Sequence, residues 1–65
     1  MSGEQLQQVV DGLIGRLAEI EQVAGPVDRA LQALDYLAEL RASAGDRAAA
    51  ASDRFVEAYL ERFGS

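Results

Sequence analysis

The amino-acid sequence predicts an all-α protein with three short helices, a helical hairpin plus a third helix. Apolar residues recur at helical spacing in each third of the chain. Gly25-Pro26 and Gly45 are breaks between those thirds, and no strand is predicted. We expect two copies of the chain to associate and form a helical bundle.

The first helix is expected over residues 4–24. Ser2 and Gln5 fit a capping box, and Gly25 is a natural helix stop. Apolar residues at alternating steps of four and three define a heptad seam: Leu6, Val10, Leu13, Leu17, Ile20 and Ala24. Chains of this size bury only about 60% of their unfolded surface. We therefore expect the seam to exceed what the rest of the chain covers, and to pack against a second copy.

Gly12 and Gly15 lie inside this helix, where each costs about 1 kcal/mol relative to Ala. Both project away from the seam. Either they lie on a solvent-exposed face with weak helix propensity, or they mark a close crossing with another helix.

The second helix is expected over residues 26–43, with Pro26 at its favoured first position. The connection between the first and second helices is so short that it favours a hairpin or a steep crossing of these two helices. The helix has a broad apolar side: Val27, Ala30, Leu31, Leu34, Leu37, Ala38 and Leu40. Its polar side is Asp28, Arg29, Asp35, Glu39 and Arg41. The predicted oligomer interface combines both helices: Leu6, Val10, Leu13, Leu17, Ile20, Leu31 and Leu34.

The third helix is expected over residues 47–63, after Gly45, with Asp46 as its cap and Gly64 as its stop. Ser52 and Asp53 offer an alternative start, in which residues 42–51 are a linker. The run of four alanines favours helix but is expected to bury little surface.

The apolar face of the third helix has two interpretations. Its members are Phe55, Val56, Tyr59, Leu60 and Phe63. They are either a core stripe that packs on the other helices, or anchors that dock into a partner protein.

The composition argues against several functions. The chain has 65 residues, 11 Asp and Glu, 6 Arg, and a net charge of −5, without Lys, His or Cys. Phosphate backbones and anionic membranes repel such a chain, so we expect it to bind neither nucleic acid nor membrane. The residue inventory offers no disulfide, no usual zinc site and no Glu-x-x-His di-iron motif. Gly12-x-x-Gly15 follows no strand and is not a phosphate loop. We expect no catalytic residues, cofactor or metal.

A cytoplasmic location is the default expectation. No apolar run approaches the roughly 20 residues of a membrane span, and the first eight residues lack the features of a secretory signal.

The C-terminal fifth of the chain resembles the C-terminal docking domains of modular polyketide synthases. The resemblance depends on Ser52, Asp53, Phe55, Leu60 and Phe63-Gly64, after two helices and an Ala-rich stretch. It implies an intertwined dimer built by the first two helices, with a last helix that engages the next enzyme.

These observations predict a non-catalytic protein–protein interaction and homo-oligomerisation module. It would bind itself, as a dimer or higher oligomer, and another protein. The alternatives are a small regulator, such as an antitoxin or transcription accessory, or a non-catalytic subunit of an enzyme complex.

Overall fold

The computed structural model describes residues 2–64, and within that range every residue except Ser2, Gly25 and Gly64 is helical. Helix α1 spans Gly3–Ala24, helix α2 spans Pro26–Ala44, a 3₁₀ turn spans Gly45–Arg47, and helix α3 spans Ala48–Phe63. The predicted all-α class is confirmed. Since helical backbone continues from Pro26 to Phe63, α2 and α3 can also be counted as one long, bent helix. None of the described helices is long and apolar enough to cross a membrane.

The start of α1 and the break between α1 and α2 both follow from local chemistry. The Ser2 side chain accepts a hydrogen bond from the Gln5 amide at 3.2 Å, and the Gln5 side chain accepts one from the Ser2 amide at 3.1 Å. This reciprocal pair confirms the predicted capping box. Gly25, at φ 96° and ψ 175°, occupies a region that is essentially restricted to glycine, and Pro26 starts α2 directly after it.

The start of α3 differs from the prediction. Asp46 lies inside the 3₁₀ turn and does not cap α3, whose first residue follows Arg47 without a side-chain cap. The alternative with a linker over residues 42–51 is wrong, because all ten residues are helical. Gly45, at φ 58°, provides the left-handed backbone that turns the chain.

The three helices pack against one another in an elongated bundle of 33 × 18 × 17 Å. Arg29 at the start of α2 contacts Tyr59 near the end of α3, so these two helices run in opposite directions. Gln7 near the start of α1 contacts Arg54 in the first half of α3, so α1 and α3 run in the same direction. Consecutive helices therefore alternate in direction.

The core lies where the three helices meet. It consists of Leu6, Val10, Ile14, Leu17, Ala33, Leu40, Ala44, Ala51 and Phe55. The accessible surface is 4379 Å², close to the ~4,000 Å² expected for a folded monomer of this mass. The chain thus covers its own core.

The α1 seam was predicted to pack against a second copy of the chain, and the composition of the core corrects this prediction. Leu6, Val10 and Leu17 were assigned to an interface between copies, but they are buried within the chain. The alanines of α2 and α3 explain the difference, because small side chains let helices approach closely enough to cover the seam. The Ala-rich stretch was expected to bury little, yet Ala51 is fully buried.

The buried row of α1 also shifts away from the heptad. Ile14 is buried, whereas Leu13 and Ile20 are only half-buried against the core. The buried positions 6, 10, 14 and 17 follow the period of a straight helix, which drifts away from a strict seven-residue repeat.

The two interior glycines of α1 face outward. Gly12 and Gly15 are exposed, and a Cβ built at either position meets no atom within 4 Å. Within the chain, the first interpretation holds: both lie on a solvent-exposed face and not at a helix crossing.

Candidate functional site

Among residues 2–64, five of the seven large hydrophobic residues that are exposed lie on α2 and α3. Leu31 and Leu34, two members of the predicted oligomer interface, are 58% and 65% exposed. Val27 lies beside them on α2, and Val56 and Leu60 are exposed on α3. We call this surface the α2–α3 face; its large members are Val27, Leu31, Leu34, Val56 and Leu60.

Helical geometry explains why this side of α2 is left uncovered. Apolar residues extend around more than half of α2, so one helix presents two apolar rows. One row, which includes Ala33 and Leu40, faces the core. Leu31 and Leu34 belong to the second row, and the described part of the chain has no further helix to cover it.

A groove of about 280 Å³ opens between the two helices of this face. Its lining is almost entirely apolar: Ala30, Ala33, Leu34, Leu37, Phe55, Val56 and Tyr59. Ala33 and Phe55 are buried and form its deepest part, whereas Leu34 and Val56 are exposed at its edges. The alanines leave room that larger side chains would fill, so the groove can accept an apolar side chain from outside.

The structure divides the five residues of the predicted docking stripe between core and surface. Phe55 is 2% exposed and belongs to the core, as the core interpretation of the stripe predicts, so it is not a docking anchor. Val56 and Leu60 are exposed on the α2–α3 face. Tyr59 and Phe63 are half-buried against the core and contact each other, with ring centroids 5.0 Å apart. α3 is therefore a core helix whose outer side is apolar.

A cluster of side chains around Arg29 joins the three helices at one end of the bundle. The sequence interpretation missed this cluster. Arg29 donates hydrogen bonds from Nε to the Tyr59 hydroxyl, at 3.1 Å, and from Nη1 to the Glu21 carboxylate. Its guanidinium carbon lies 4.6 Å from the centre of the Phe63 ring. The Glu21 hydrogen bond, followed by the one to Tyr59, raises the pKa of Arg29 above its ordinary value, so the residue stays charged.

A signal for this cluster was present in the sequence. Arg29 was assigned to the polar side of α2, but it lies four residues before Ala33 and eleven before Leu40, which puts it on the core side. A long side chain at the end of such a row can bury its stem and keep its charged end near the surface.

Polar side chains elsewhere do not converge on a reaction centre. Within residues 2–64, no three acidic side chains come close enough to hold a metal ion. The Ser52 hydroxyl oxygen is buried and has no hydrogen-bond partner in that range. A second depression near the end of α1 includes charged Arg16 and Glu19 beside Val23, so its lining is more mixed than that of the α2–α3 groove.

In comparisons with known proteins, no family model, no curated protein and no solved structure matches this chain.

Proposed function

We propose that this protein is a non-catalytic helical module for protein–protein interaction, and that its binding surface is the α2–α3 face. The observation that supports the proposal is the exposure of five large aliphatic side chains along α2 and α3, beside an apolar groove, on a chain that already encloses its core. Single exposed aliphatic residues are common on proteins and require no explanation. A concentration of such residues along two neighbouring helices, at the edges of an apolar groove, is typical of an interaction site.

The size of the face supports this interpretation. The five side chains together expose on the order of 500 Å², at the upper end for the largest apolar patch of a monomer. Removing this area from water gives roughly 12 kcal/mol of gross hydrophobic free energy, before the costs of association. The groove between Leu34 and Val56 adds a concave position for an anchoring side chain.

Homo-oligomerisation remains part of the proposal, but with a different surface. Leu6, Val10 and Leu17 are enclosed by the chain itself, so a dimer would use Leu31 and Leu34. The resemblance of the C-terminal residues to polyketide synthase docking domains points to the same functional class. The partners we propose are therefore proteins, either a second copy or another chain.

Site-specific photo-crosslinking in the source cell tests the proposal. A photoreactive amino acid at position 34 lies on the α2–α3 face, whereas one at position 23 replaces Val23, which is 90% exposed and lies outside that face. We expect a discrete protein adduct from position 34 and none from position 23. Leu31→Asp in the position-34 variant should abolish the adduct without unfolding the protein.

Two results together would refute the interaction function. The first is the absence of any adduct from positions 31, 34 and 60. The second is a monomeric mass by sedimentation across the micromolar range. Circular dichroism of each variant establishes that the fold is retained, so that a negative result reflects the surface and not unfolding.

A further inference from the structure

We infer that the occupant of the α2–α3 face is an amphipathic helix of a partner protein, with basic residues along both edges of its apolar stripe. The inference rests on the proposed function and specifies the chemistry of the partner. It depends on the shape of the face and on the charges at its borders.

The shape suits a helix. α2 and α3 run in opposite directions side by side, and the groove lies between them. Val27, Leu31 and Leu34 follow one another over two turns of α2, about 10 Å along its axis. A helix laid along such a groove presents apolar residues at every third or fourth position and buries them between the two rows. Its addition would complete a four-helix arrangement around the apolar face.

The borders of the face are acidic. On α2, Asp28 and Asp35 are exposed and lie three residues before and four residues after Leu31, so both neighbour it on the helix surface. On α3, exposed Asp53 lies three residues before Val56. Glu57, three residues before Leu60, lies farther round α3 and lines a depression with Arg54 on the α1 side. Both long edges of the face therefore present carboxylates.

Basic side chains of the described residues lie mostly elsewhere. Arg29 is engaged by Glu21 and Tyr59, and Arg54 donates a hydrogen bond to Gln7 on the α1 side of α3. Helical spacing places Arg41 on the α2–α3 side, at the end next to the 3₁₀ turn. The one ion pair among residues 2–64 joins Arg29 and Glu21, so Asp28, Asp35 and Asp53 at the borders of the face are not paired with a basic side chain of that range.

These charges favour a basic partner over a second copy. In a face-to-face dimer, the acidic borders of one copy would lie against those of the other, and such like-charge contacts oppose association. A helix with Lys or Arg at its edges adds attraction where a second copy adds repulsion.

Two synthetic peptides test the inference. Both are helices of about 18 residues with the same Leu stripe. One carries Lys and the other Glu at the positions that flank the stripe. Fluorescence anisotropy with the full chain should show the Lys peptide binding at least about tenfold more tightly at low ionic strength. The difference should shrink several-fold in roughly 0.5 M salt, which screens exposed charges.

Matched variants separate this site from the general acidity of the chain. Asp35→Lys with Asp53→Lys changes the borders of the face and should reverse or abolish the preference. Glu19→Lys with Glu61→Lys makes the same change in net charge at exposed positions outside the face, on α1 and on the α1 side of α3, and should leave most of the preference. Leu34→Ser should weaken binding of both peptides.

Several outcomes would overturn the inference. These are equal binding of the two peptides, an equal effect of the two charge-reversal pairs, or a stable dimer that Leu34→Ser dissociates. If position 34 still crosslinks to a protein while the peptides bind equally, the basic-helix inference fails and the proposed interaction function stands. If neither peptide binds and no crosslink forms, both fail.

Discussion

The sequence assigned Leu17 and Leu34 to one interface. Substitution by alanine removes the same atoms at both positions. The structure separates them, because Leu17 is fully buried and Leu34 is 65% exposed. We expect Leu17→Ala to cost about 2–5 kcal/mol, from the lost burial and the cavity it leaves. A domain of this length has a total stability of about 3–10 kcal/mol. Leu17→Ala therefore removes a large part of the stability, and Leu34→Ala should change it by less than about 0.5 kcal/mol.

Urea unfolding followed by circular dichroism measures both changes in free energy. In thermal unfolding, each kcal/mol corresponds to about 4–8 °C for a domain of this size, so Leu17→Ala should lower the melting temperature by about 8 °C or more. Running both variants at two protein concentrations separates folding from self-association. Equal losses for the two variants, or a larger loss for Leu34→Ala, would contradict the placement of the core. A concentration-dependent loss confined to Leu34→Ala would show that a dimer contributes to stability.

The same unfolding measurements check four further expectations. Gly12→Ala and Gly15→Ala should each raise the free energy of unfolding by up to about 1 kcal/mol, since a Cβ fits freely at both positions. A lower free energy of unfolding would indicate a helix crossing that involves another molecule. Gly25→Ala should cost about 1–3 kcal/mol, because its backbone angles are strained for any residue with a side chain. Ser52→Ala should raise the free energy of unfolding by about 1 kcal/mol, because it removes a buried hydroxyl without a hydrogen-bond partner in residues 2–64. An unchanged or lower midpoint of urea unfolding would show that the hydroxyl does have a hydrogen-bond partner. A chain that ends at Ala51 lacks Phe55 and should lose most of its helical circular dichroism, whereas a helical fragment would restore the docking interpretation of α3.

Local features of the fold could be predicted from the sequence. The predicted helix bounds, 4–24, 26–43 and 47–63, each differ from those of the structure at one end by a single residue. Capping by Ser2 and the break at Gly25-Pro26 depend on chemistry within a few residues, so no tertiary contact is needed to predict them. The 3₁₀ turn was missed, because Asp46 satisfies the pattern of a cap while the backbone continues in helical form.

The candidate site could be predicted only in part. Leu31, Leu34, Val56 and Leu60 were all selected from the sequence, and all are exposed on the α2–α3 face. Leu6, Val10, Leu17 and Phe55 were selected with them, yet these four form part of the core. Hydrophobic spacing identifies a side chain that avoids water, but it does not distinguish burial within one chain from burial against another.

The sequence by itself therefore determined the all-helical class, the helix bounds and the set of apolar residues, because these depend on propensity, capping and periodicity along one segment. Only the tertiary structure decided which apolar row of α2 enters the core and which remains exposed. That choice depends on how closely the helices approach. The approach depends on Ala33, Ala44 and Ala51, whose small side chains contribute little to a hydrophobic pattern but allow α1 to be covered by its own chain.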